Sequence, residues 1–348
     1  MRALTIDAHG GLEQLRFRTD VPEPALGAAT DVRVRVHAAA LNHLDLSVVQ
    51  GLPGVSIVAP WILGADAAGV VDAVGAEVTD VAVGDRVAIN PGLSDRTCEF
   101  CRAGEQSMCV HFRLLGEHRP GTFADALVVP AVNVRRIPAS LGFEQAAAAM
   151  LVATTAWRMV LTRAHVAAGE DVLIWGIGGG VALAALALVK RLGARAWVTS
   201  GSDAKLERAQ ALGADILLNH RTLDVAREVR ARTGKRGVDV VIDSVGRDTW
   251  PASLGALARG GRLVTCGGTS GPVVETDVRR LFWNQWTILG STMGNDREVD
   301  AAVGALSEGW LRVPIDSTYA LADGRPAFER LASGARFGKV VLRVAEGG

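Results

Sequence analysis

The chain has 348 residues, 49% of them hydrophobic and 40 of them glycine, which is long enough for two domains with separate cores and too apolar for a disordered chain. Lys plus Arg and Asp plus Glu stand at 37 each, so the overall charge offers no electrostatic grip on nucleic acid or an acidic membrane. No apolar run approaches the roughly 20 residues that a bilayer requires, and the opening Met1-Arg2-Ala3-Leu4-Thr5-Ile6-Asp7 lacks the apolar core of a signal peptide; a cytoplasmic protein with reduced cysteines is expected.

Up to about residue 150 the chain reads as short strands between Gly and Pro punctuation. Val32-Arg33-Val34-Arg35-Val36 alternates apolar and basic residues, the period of a half-buried strand. Val83-Gly84-Asp85-Arg86-Val87 reads as a turn into another strand. The segment from Asp95 to Cys109 then gathers three of the four cysteines with the spacing Asp-x2-Cys-x2-Cys-x7-Cys. Zinc prefers four ligands in a tetrahedron, thiolates suit it, and a carboxylate oxygen can take the place of a missing sulfur. Asp95, Cys98, Cys101 and Cys109 therefore form a candidate structural zinc site in a lobe of about residues 92–112. A disulfide framework fits less well, since three cysteines leave one unpaired.

Around Phe143 the texture changes to Ala-rich helix. From Asp171 a strand, glycine turn and helix pattern repeats: Val172–Trp175, a helix from Val181 to Leu192, Ala196–Thr199, Val238–Ile242 and Gly261–Thr265. That pattern predicts a doubly wound parallel sheet. Gly176-Ile177-Gly178-Gly179-Gly180 sits between a strand and a helix, where backbone N–H groups and the positive helix end can approach a pyrophosphate. The strict G-x-G-x-x-G is not kept, because Val181 occupies its last place, and Ala182 follows.

These stretches, with Asn42-His43-Leu44-Asp45, Gly64-Ala65-Asp66, Gly121-Thr122-Phe123-Ala124 and the closing Gly338-Lys339-Val340-Val341-Leu342, resemble in order and spacing the medium-chain dehydrogenase/reductase superfamily of zinc alcohol dehydrogenases and quinone reductases. The resemblance implies an α/β fold made of a GroES-like β-rich catalytic domain, residues 1–150 and 288–348, and a Rossmann cofactor domain, residues 151–287. The C-terminal return is expected at Thr287–Ser291. It also implies a homodimer joined through the segment from Phe282 to Ser291.

A nicotinamide cofactor follows from the same resemblance. About twenty residues past Gly180, where NAD enzymes place an acid on the ribose, stand Ser200, Gly201 and Ser202, with Lys205 just beyond. Small hydroxyls and a cation suit a 2′-phosphate, so NADPH is expected; Asp203 argues the other way or caps a helix. Arg221, beside His220, and Lys339 complete the expected cofactor contacts, and His43 aligns where relatives put a basic side chain against the pyrophosphate.

In zinc alcohol dehydrogenases a second zinc is held by a Cys, a His and a Cys. Those positions fall here on Asn42, Ala65 and about Leu151, with Asp66 beside the second and Leu44 in place of the relay hydroxyl. Ala and Leu carry no donor atom, so the open metal site that alcohol oxidation needs is not retained. The expected chemistry is hydride addition to an acceptor already polarised: an enone, an enal, an acyl thioester or a quinone. Asn42 either donates to the substrate carbonyl or the nicotinamide amide or caps a loop, Asp45 orients its neighbours or caps a helix, and His118 is a candidate proton donor. Trp61, Phe123, Trp157, Phe282, Trp283 and Trp286 could line a cleft, although aromatic residues more often fill cores. Two other readings are compatible with the sequence: an alcohol or carbonyl dehydrogenase with a displaced metal, and a non-catalytic NADPH-binding protein.

Overall fold

The computed structural model describes residues 1–345, and the chain divides into two compact units. One is Met1–Leu151 together with the segment from Asn295 onward; the other is Val152–Gly294. The first crossing falls where the Ala-rich helix Phe143–Trp157 runs on. The second is later than expected. Thr287–Gly290, the expected point of return, pairs in parallel with Leu257–Thr265 and is the last strand of the cofactor unit's sheet. Hydrophobic patterning marks such a run as a strand without saying which sheet takes it, and the boundary accordingly moves from 288 to 295.

In the first unit the main sheet runs Val134–Arg136, Arg86–Ile89, Asp66–Val74, Asp31–Ala40, Lys339–Arg343 and Ile315–Ala320, with Ala126–Pro130 paired to the outer half of Asp31–Ala40. Val32, Val34 and Val36 turn inward, as their alternation requires. Gly69 lies opposite Val36, and a Cβ there would stand 1.9 Å from the Arg35 carbonyl oxygen, so the two strands can approach only with glycine at that place. The arrangement brings Lys339, at the start of its strand, beside the inner end of Asp31–Ala40, where Val341 faces Ala40.

The second unit holds six parallel strands in the order Ile216–Asn219, Arg195–Ser200, Asp171–Ile174, Val238–Asp243, Leu257–Thr265, Thr287–Gly290. Numbered along the chain this is 3-2-1-4-5-6, the dinucleotide-binding order, with the strand reversal beside Asp171–Ile174. Its core includes Trp197, Trp250 and Trp286. Trp286 donates Nε1–H to the Ala258 carbonyl at 2.9 Å, and Phe123, in the first unit, is fully buried edge-on to Phe328 at 6.3 Å. Both are core residues, whereas Phe282 and Trp283 are 63% and 68% exposed.

Candidate active site

The lobe assembles as its spacing predicts: one ligand atom each from Asp95, Cys98, Cys101 and Cys109 lies within 4.8 Å of the others, a span that matches four ligands around one ion. Two turns set this geometry. Asp95 Oδ1 accepts from the Thr97 and Cys98 N–H groups at 2.8 and 2.9 Å, and the Cys109 sulfur accepts from the Asp95 and His111 N–H groups at 3.3 Å each. The Cys98 N–H, then His111 Nδ1 at 2.7 Å from Oδ2, hold the Asp95 carboxyl far below its usual range. Burial and then the adjoining Cys98 and Cys109 sulfurs push the Cys101 thiol up to about 12, so a thiolate there requires a cation beside it.

The lobe is also tied to the start of the helix Asp296–Ser307, contacts that spacing could not reveal across some 190 residues. Arg96 grips the Asp296 carboxylate, which Arg135 also approaches at 3.5 Å. Asn295, the helix cap, donates to Glu105 Oε1 at 3.3 Å, and the Asp296 N–H donates to Gln106 Oε1 at 3.3 Å.

Within the same unit Asn42, Asp45, Asp66 and Lys339 are all buried. Asn42 caps the helix His43–Gln50, and its own N–H donates to Asp45 Oδ2 at 2.7 Å, closing a capping box. Its side-chain amide donates to Asp66 Oδ2 at 2.8 Å and to the Ala40 carbonyl at 3.4 Å. Its carbonyl Oδ1 accepts from Lys339 Nζ at 2.5 Å, and the same ammonium reaches Asp66 Oδ2 at 3.1 Å. Asp66 Oδ1 accepts from the Leu151 N–H at 2.9 Å, and the Asp66 carbonyl accepts from Thr122 Oγ1 at 2.9 Å.

Two expectations change here. Asn42 does not aim its amide hydrogens at a substrate, because Asp66 and Ala40 take them. Lys339, expected among the cofactor contacts, is 3% exposed and bonded to Asn42 and Asp66 as a buried counter-ion. Burial lowers the Lys339 pKa and Asp66 opposes that shift, while burial raises Asp45 to about 7.

His43 opens its helix with an exposed ring, and partial desolvation followed by the Arg336 guanidinium lowers its pKa. His118 lies on the turn 114–119, where Nδ1 accepts from the Leu114 N–H at 3.2 Å and Nε2 stands 3.8 Å from Glu117. One ring nitrogen of this candidate donor is therefore spent on its own turn.

In the cofactor unit Gly176 and Gly178 have φ of +69° and +112°, which side-chain-bearing residues rarely adopt. The turn delivers the chain to Gly179, which caps the helix Gly180–Arg191 with no side chain over the first N–H groups. Val181 and Ala182 continue that helix without disturbing the turn.

A cleft of about 700 Å³ begins at Gly176 and is lined by Trp175, His220, Val225, Val245 and Thr249, at the carboxyl ends of the strands. Beside Gly201, a Cβ would meet Arg221 Nε at 2.7 Å and His220 Nε2 at 3.1 Å, so both bases stand against the strand end that carries Ser200 and Ser202. Ser200 Oγ accepts from the Ser202 N–H at 3.1 Å, and Lys205 lies in the first turn of the helix Asp203–Ala211. Asp203 accepts from Asn219 Nδ2 at 2.7 Å, which accounts for the one acid of this stretch.

Residues 28–139 match the alcohol dehydrogenase GroES-like domain and residues 180–308 match the zinc-binding dehydrogenase family. A quinone oxidoreductase of Pseudomonas aeruginosa is 32% identical over 96% of this chain and 97% of its own. An acryloyl-coenzyme A reductase of Metallosphaera sedula is 30% identical over 98% and 99%. A crystal structure of an NAD-dependent alcohol dehydrogenase superposes with a TM-score of 0.93 at 42% identity, over 99% of this chain and all of that one. The lobe, the 3-2-1-4-5-6 sheet, the glycine turn and these likenesses agree, and the chain belongs to the medium-chain dehydrogenase/reductase superfamily of oxidoreductases.

Proposed function

We propose that this protein is an NADPH-dependent reductase of activated C=C bonds or quinones, built around one structural zinc and no catalytic one. The observation that carries the reading is the closed cluster of Asn42, Asp66 and Lys339. Of the positions a catalytic metal uses in relatives, Ala65 and Leu151 have no side-chain donor, and Asn42 and Asp66 spend theirs on an ammonium. A residue set of that kind does not leave a three-ligand site open to an alcohol.

The fit to a metal is different at the lobe. Asp95, Cys98, Cys101 and Cys109 would hold zinc with all four positions filled by protein, where it cross-links the lobe and takes no part in chemistry. The fit to NADPH rests on a glycine turn that exposes backbone N–H groups, and on Ser200, Ser202 and Arg221 around Gly201 with Asp203 already paired. The bound dinucleotide supplies a hydride.

What the chain contributes is position and charge. Asn42 locks Asp66 and Lys339 into one orientation, the capping box fixes the start of the helix His43–Gln50, and the neutral acceptor's proton comes from water or from His118 Nε2. The acryloyl-coenzyme A reductase and quinone oxidoreductase among the similar proteins favour this acceptor class; the NAD-dependent alcohol dehydrogenase structure favours the alternative of an alcohol dehydrogenase.

A screen of NADPH oxidation over enones, enals, enoyl thioesters, quinones and simple ketones, run beside elemental analysis, separates them. Turnover of conjugated acceptors with one zinc per chain is expected. Two zinc equivalents with efficient ethanol oxidation would reject the proposal, and NADPH binding with no turnover at all would leave a binding protein.

A further inference from the structure

We infer that the first unit carries a second ligand pocket, apart from the Asn42 cluster, that takes an apolar chain ending in an oxyanion, either carboxylate or phosphate. The cavity holds about 630 Å³ and lies between the coil at residues 22–30 with Asp31 at its end, the strand Ala126–Pro130 and the margin of the metal lobe. That volume is in the range of small-molecule sites. Pro24, Ile62, Leu115 and Leu127 give it an apolar wall, against which an alkyl or acyl chain loses its contact with water.

The charged groups around it divide sharply. Its two acids are spent: Asp31 Oδ2 accepts from the Gly27 and Ala28 N–H groups at 2.9 and 2.8 Å, and Asp95 belongs to the lobe's ligand set. Its two arginines are not. Arg113 and Arg119 line the cavity, and neither guanidinium has a carboxylate or carbonyl partner among the described residues, in a chain where Arg96, Arg135, Arg195, Arg262 and Arg330 are all paired. Both stand on fixed backbone. Arg113 is in the two-residue strand Arg113–Leu114, paired with Gly92–Leu93, and Arg119 closes the turn that begins at Leu114. A planar guanidinium fork matches an oxyanion, and arginines on the lining beside an apolar wall suit a ligand with one charged end.

The pocket also touches the backbone that carries Asp66. Gly121, on its wall, donates to the Ile62 carbonyl at 2.8 Å, and the next residue, Thr122, bonds Gly64 and Asp66. This assignment is independent of the reductase reading, since none of its residues belongs to the cofactor cleft or the Asn42 cluster.

Calorimetric titration of the full chain, saturated with NADP⁺, with decanoate, decyl phosphate and decanol tests it. One equivalent of at least one anion is expected to bind at least about tenfold more tightly than decanol, the scale of a charge-assisted hydrogen bond, and the tighter of the two anions identifies the head group. Arg113→Gln with Arg119→Gln, both exposed changes, should erase that preference, and Ala25→Trp on the coil should lower the affinity of all three ligands. Absence of saturable binding at millimolar anion, equal affinity for decanol, an anion preference kept by the arginine variant, or affinities unchanged by Ala25→Trp would overturn the proposal.

Discussion

Lys339 and Asp66 form a buried ion pair 273 residues apart in sequence, with Nζ 3.1 Å from Oδ2, and Asn42 bridges them by accepting from one and donating to the other. The pair faces little solvent on either side, with side-chain exposures of 3% and 0%. Its energetics are those of compensation: each charge is tolerable only because the other is there.

Removing one partner should therefore cost far more than removing both. Lys339→Met or Asp66→Ala alone is expected to destabilise the chain by about 3–5 kcal/mol, the typical loss when a buried charge is left unpaired, while the combined Asp66→Leu, Lys339→Met chain should recover much of it. Urea unfolding of the three variants checks this, and a loss in the double variant as large as the two single losses added together would deny the coupling.

Asp45 gives a pH dependence of stability. Its folded pKa is raised from 3.8 to about 7, chiefly by burial, so between those values the folded state binds a proton that the unfolded state has released. Stability is then greatest below about pH 4 as far as this group is concerned and declines as pH rises toward 7. Asp45→Asn, which keeps an acceptor for the Asn42 N–H, should flatten that decline in thermal unfolding followed from pH 5 to 8. An unchanged slope would assign the pH dependence elsewhere.

One zinc per chain is expected in protein prepared without chelator. Cys101→Ala should lose it and, in hydrogen exchange, deprotect the lobe and the first turn of Asp296–Ser307, while NADPH binding persists. Zinc retained at full occupancy by the variant would exclude the assigned ligand set.

NADPH should bind more tightly than NADH. Ser200→Asp places a carboxylate against the Arg221 side of Gly201 and is expected to weaken NADPH by roughly 1.5–3 kcal/mol, with Arg221→Ala a smaller loss of the same sign. Fluorescence titration with both cofactors decides; equal affinities in the unaltered chain would remove the phosphate pocket.

A dimer is expected through Thr287–Gly290, which ends its sheet with only one neighbour among the described residues and is accompanied by the exposed Phe282 and Trp283. Trp283→Lys should shift the mass seen by light scattering toward the monomer; a monomeric parent chain at micromolar concentration would defeat the expectation.

The sequence was readable wherever a local geometry is written into one short segment. Cys98, Cys101 and Cys109 with Asp95 needed only spacing, and Gly176 to Gly180 needed only the strand before and the helix after. It was unreadable where a contact closes over long separation. Nothing near Lys339 signals Asp66 or Asn42, so a lysine that is buried inside the domain looked like one that meets the cofactor. The run at Thr287–Gly290 was legible as a strand but not as belonging to the parallel sheet, because pairing depends on Leu257–Thr265 and not on its own pattern. Trp286 and Phe123 were ambiguous for the same reason: an aromatic side chain has one composition whether it lines a cleft or fills a core.

The bonds from Arg96, Glu105 and Gln106 to Asn295 and Asp296 bear on how such proteins can be recombined. Asn295 is where the polypeptide re-enters the first unit, so the lobe and the re-entry point are halves of one joint made from distant stretches of the sequence. A chimera that imports a foreign cofactor unit with its own downstream junction would present strange residues to Arg96 and Gln106, and a graft of the lobe alone would meet the converse mismatch. Modular exchange in this chain should succeed only when residues 95–109 and 295–300 travel together.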